Sequence, residues 1–138
     1  MQLGGLAALA AAPAPAAPPV ALDNAVFVER VTEQTRSLAP ARRLSRGDRV
    51  VYVTSWRRAG GGSFVLTYPL PRDVAYQGSA EGDEEVSADG GRTWGRLGSL
   101  RSGARLALPD DVTHVRWRVA LALAAQGKGR IAWSAIVR

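Results

Sequence analysis

The chain has 138 residues, with 18 Lys and Arg against 12 Asp and Glu, a formal net charge of +6 and no cysteine. Set against the usual range of about 50 to 200 residues, that is one domain of roughly 110 residues after an N-terminal segment, enough to bury a core. The missing cysteine excludes a disulfide, a zinc thiolate site and a thiol nucleophile. The arginines are scattered from Arg30 to Arg138, with Lys128 the only lysine, and read as a solvated surface before they read as one polyanion track.

Residues 1–20 read as a signal peptide or an Ala/Pro-rich tail. Leu3 to Ala12 form a short apolar run, and Ala14 and Ala16 have the small-residue spacing that precedes signal-peptidase cleavage, leaving Ala17 first. Met1-Gln2 carries no Lys or Arg for the positive n-region, so the tail reading stays open. The run falls short of the about 20 apolar residues that span a bilayer, so no transmembrane segment is expected. If the protein is exported, Pro18 and Pro19 lead as a short extended linker into the folded part.

Residues 21–138 read as strands nearly throughout. Asn24 to Thr35 is rich in β-branched residues, and Gly47-Asp48 marks a turn before Arg49 to Trp56, which is apolar on both faces in its first half, as in a covered sheet. Ser63 to Pro71 puts Phe64, Leu66 and Tyr68 on one face and Ser63, Val65 and Thr67 on the other, with prolines closing the strand. After a short extended piece at Asp73 to Ser79 and a hairpin at Glu84 to Leu97, Asp110 to Leu123 alternates Val115, Trp117, Val119 and Leu121 against His114, Arg116 and Arg118. Arg130 to Arg138 then aligns Ile131, Trp133, Ala135 and Val137. About seven strands and no helix predict an all-β, immunoglobulin-like β-sandwich, with the four tryptophans filling its core.

Gly47, Asp48, Val50 and Tyr52, then Thr67, Pro69, Leu70 and Pro71, then Val74, Tyr76, Gly78 and Ser79 together resemble the DUF11-like conserved-repeat domain, an immunoglobulin-like module of bacterial exported and surface proteins. The resemblance covers about a third of the chain and implies a structural or interaction module at or beyond the cell envelope. Two departures bear on it: Trp56 to Gly62 stands where the family commonly has N-x-G, and Tyr68 where it has Asp before Pro-Leu-Pro. The resemblance brings no catalytic residue, metal or cofactor.

Ser87, Asp89, Gly91, Thr93 and Trp94 fit S-x-D-x-G-x-T-W and resemble the Asp box of sialidase-like propeller blades. A propeller needs about four or more blades of some 40 to 50 residues, so one copy in this chain marks a self-contained turn, with Trp94 folding back over it. Arg57, Arg58, Gly60, Gly61 and Gly62 form a basic tip without the Lys and helix of a P-loop and are the candidate interaction loop. His114, the only histidine, has no G-x-S-x-G elbow to serve, and Glu81, Asp83, Glu84 and Glu85 lack the calcium-loop pattern. Asn24 and Lys128 could be joined by an isopeptide bond only if folding brought them together. The function expected is non-enzymatic, toward a protein or envelope component and no specific nucleic acid. A carbohydrate-binding or glycosidase-associated domain and a polyanion binder are the alternatives.

Overall fold

The computed structural model describes residues 11–13 and 19–138. Ala14, Ala16 and Ala17 of the expected cleavage site lie outside the described residues. The chain runs through β1 (Ala21–Val31), β2 (Arg36–Pro40), β3 (Arg49–Arg57), β4 (Phe64–Pro69), β5 (Val74–Ser79), β6 (Glu85–Ser87), β7 (Arg101–Ser102), β8 (Arg105–Leu106), β9 (His114–Val119), α1 (Leu121–Ala124) and β10 (Lys128–Val137). Strands β2-β1-β3-β10-β5 form one sheet, β4-β9-β6 a second, and β7-β8 a small hairpin. Every pairing is antiparallel. The fold is therefore all-β, as the alternation predicts.

Period-two alternation puts one face of each sheet into a shared core. The large sheet contributes Val28, Val50, Trp56, Val74, Tyr76, Ile131, Trp133 and Ala135, and the small one Val86, Val115, Trp117 and Val119. Trp133 is central: its ring stacks on Tyr52 at 4.1 Å and 8°, and Tyr68 of the opposite sheet and Tyr76 lie tilted at 5.9 and 6.2 Å. Such ring pairs contribute roughly 0.5–1.5 kcal/mol beyond the area they bury. Trp56 lies edge-on to Phe64 across the layers and directly opposite Gly129. A Cβ at Gly129 would stand 2.6 Å from the Trp56 indole, so the absent side chain is what lets that ring lie flat on the sheet.

The structure differs from the expected strands in three places. The strand expected over 24–35 ends at Val31, because Thr32 and Thr35 close a turn through backbone and hydroxyl bonds, and a separate strand, β2, begins at Arg36. The segment 110–123 holds a 3-10 turn at Pro109–Asp111, then β9, then α1. Its alanines favour the helix locally, so Leu121 leaves the core face and is 64% exposed. The strand number rises from about seven to eight in the two sheets, with two more in the β7-β8 hairpin. An immunoglobulin constant domain keeps its last two strands in one sheet, whereas α1 carries the chain from β9 in the small sheet to β10 in the large one.

Candidate functional site

The outer face of the small sheet is where the residues left over from the core gather. Ser87 ends β6 and starts the Asp-box-like turn. Its hydroxyl donates to Asp89 Oδ1 at 2.8 Å and accepts the Gly91 amide at 2.9 Å. Asp89 Oδ1 also accepts the amides of Arg92 and Thr93 at 3.0 and 2.9 Å, and Oδ2 accepts the Thr93 hydroxyl at 2.6 Å. These donors, the Thr93 hydroxyl foremost, hold the Asp89 carboxyl well below its ordinary pKa. Positive φ at Gly90 and Gly91 lets the chain reverse here. Trp94 folds back and donates from Nε1 to the Gly91 carbonyl at 3.0 Å.

Thr113, just before β9, anchors this turn to the sheet, and the sequence reading missed it. Its hydroxyl accepts the Gly90 amide at 3.0 Å and donates to the Ser87 carbonyl at 3.2 Å. A threonine 26 positions from Ser87 carries no local signal, since only the pairing of β6 with β9 brings the two together.

Arg116 then stacks on the fixed indole, its guanidinium carbon 4.3 Å from the Trp94 ring centroid. Glu85 of the neighbouring strand holds the same guanidinium through Nε and Nη2 at 3.2 and 3.0 Å. Beside this Glu85-Arg116-Trp94 ladder is a cleft of about 380 Å³ lined by Arg96, Arg118, Arg116, Asp83, Glu85 and Val65. Arg96 reaches the Gly82 carbonyl at 3.3 Å. Arg118 is exposed and, among the described residues, makes no ion pair. Three guanidiniums against two carboxylates leave the cleft net positive, with planar donors suited to carboxylate, sulfate or phosphate oxygens.

The other candidates fall elsewhere. Arg58 donates to the Gly62 carbonyl at 2.9 Å and lies over Phe64, and a Cβ at Gly61 would meet its guanidinium at 2.7 Å. The loop is thus wrapped around its own arginine. Arg57 is exposed and pairs in register with Lys128. Asn24 accepts the Thr54 hydroxyl on the inner face, whereas Lys128, an odd number of positions from core-facing Ile131 and Trp133, points outward, so no isopeptide geometry exists. His114 is opposite Ser87 in register, but Ser87 is fully buried and donates to Asp89, while His114 Nδ1 meets Thr113. Among the described residues no group of His, Asp or Glu could hold a metal ion, and no helix is long and apolar enough to cross a membrane.

Trp56, Trp117 and Trp133 are 3, 3 and 1% exposed, so no row of rings faces solvent. No protein-family model, curated protein or solved structure matches this chain.

Proposed function

We propose that this protein is a non-enzymatic interaction module, exported to the bacterial envelope or beyond, immunoglobulin-like in its two-layer antiparallel architecture and akin to the conserved-repeat domains its sequence resembles. The observation that carries the reading is the arginine cleft, where Arg116 is fixed between Trp94 and Glu85 while Arg118 has no ion pair. Two devices hold one guanidinium in place and leave a second one available, which suits docking of an anionic group. The Asp-box-like hairpin serves this face as a scaffold: the Asp89 carboxylate accepts four hydrogen bonds from within the turn and so supports the position of Trp94. Among the two alternatives, an anionic partner is favoured over a neutral sugar, because Trp94 is the one indole outside the core and Arg116 already covers it.

The test is calorimetric titration with heparin and with polyglutamate, at two ionic strengths. Affinity should fall steeply between about 50 and about 200 mM salt, and Arg96→Ala and Arg118→Ala should each lower the salt slope by about one. An affinity indifferent to salt and to both substitutions would remove the cleft from consideration. Hydrolysis of an aryl glycoside that disappears in Asp89→Ala would overturn the non-enzymatic reading.

A further inference from the structure

The two sheets have four outer edges, and three of them are blunted. Strand β2 is short and carries Arg36 and Pro40; β5 is bulged against β10 beside Gly78; β6 has three residues and is bridged at Val86 by Gly95. Charge, proline, bulges and brevity are the features that keep edges from pairing with other chains. The fourth edge, β4, has none of the charges and no bulge, and its run Phe-Val-Leu-Thr-Tyr ends in Pro69.

The direction of its backbone groups follows from one bond. Leu70 donates to the Thr113 carbonyl at 2.9 Å, continuing the register that pairs Tyr68 with Val115 and Leu66 with Trp117. Antiparallel ladders alternate bonded and non-bonded pairs, so Leu66 and Tyr68 bond to β9 while Val65, Thr67 and Pro69 turn their backbone groups outward. Pro69 thus sits where the missing N–H costs the sheet nothing, and the amides of Val65 and Thr67 remain open to a further strand.

The layers also limit what can occupy this edge. Cross-layer contacts of Phe64 with Trp56 and of Tyr68 with Trp133 set β4 over β3 and β10, so β1 and β2 project past it, leaving Leu22 of β1 48% exposed. A second sandwich paired edge to edge would bring its own projecting strands into the same layer. One extended segment has room. On its inward side that segment would meet the exposed Leu22 side chain, which suits apolar residues at alternate positions.

We propose that the open edge of β4 docks a single extended segment of a partner chain, uncharged and apolar at alternate positions, which adds a fourth strand to the small sheet. The probe is a capped synthetic peptide of Thr-Val repeats with lysines at its ends, followed by amide exchange in the full-length protein. At saturation, exchange at Val65 and Thr67 should slow while Leu66 and Tyr68, already bonded to β9, change little. Thr67→Pro removes one outward donor without touching the β9 ladder and should weaken the peptide by about tenfold, the equivalent of one hydrogen bond. If Thr67→Pro does not fold, Thr67→Lys introduces an edge charge on the solvent side and should weaken it likewise. No binding, unchanged exchange at Val65 and Thr67, or affinity indifferent to both substitutions would overturn the proposal. So would a probe-free dimer that Thr67→Lys dissolves, since the occupant would then be a second copy.

Discussion

At the scale of single residues, Asp89 illustrates how a side chain with catalytic chemistry can be fully engaged in structure. It accepts two backbone amides and two hydroxyls, and those bonds favour its charged form. A carboxyl depressed in the folded state contributes stability that is complete above its unfolded value and drains away as pH falls through the folded one. Asp89→Asn should therefore be less stable than the parent protein at neutral pH, and the gap should close progressively below about pH 4, the ordinary aspartate value. Urea unfolding at pH 7 and at pH 3 measures this; an equal gap at both would show that the bonds do not depend on the charge. The turn itself was legible in the sequence because Ser87, Asp89, Gly91, Thr93 and Trp94 all lie within eight positions, so its bonds are local. Arg116 and Thr113 were not legible as members of the same site, because nothing in their neighbourhood marks which strand they will face.

At the scale of elements, the pairing of β3 with β10 depends on a residue that has no side chain. Gly129 is opposite Trp56, which is 3% exposed and wedged against Phe64. Gly129→Ala should destabilise the fold by about 1–3 kcal/mol, the usual cost of overpacking a filled site, read as a lower denaturant midpoint with an unchanged slope. An unaltered midpoint would mean that the indole has room to tilt. Element boundaries were the least legible part of the chain. Apolar alternation continued from Val119 to Leu121, but the crossing from one sheet to the other, together with the helix-favouring alanines, turned Leu121 out into α1. Likewise the run 24–35 carries strand-forming residues throughout, and the hydroxyls of Thr32 and Thr35 decide its turn by bonding to each other.

At the scale of the whole molecule, Trp133 joins the layers, touching Tyr52 and Tyr76 of its own sheet and Tyr68 of the other. Removing it as Trp133→Ala should cost about 3–5 kcal/mol. Because its neighbours belong to both sheets, the parent protein should unfold in one step, with tryptophan fluorescence and far-UV circular dichroism following a single curve. Separate transitions would mean that the sheets are independent. The sequence by itself determined the all-β class, the alternation of β4 and the Asp89 turn, since each follows from a period of two or from bonds spanning a few residues; of the four tryptophans expected in the core, Trp94 is outside it, folded over the turn. Only the tertiary structure decided that β10 enters between β3 and β5, that Arg96, Arg116 and Arg118 line one cleft with Glu85, and that β4 is left with an open edge. Those outcomes depend on which strands pair across the molecule, and strand pairing is settled by the joint burial of two faces, which no stretch of sequence contains alone.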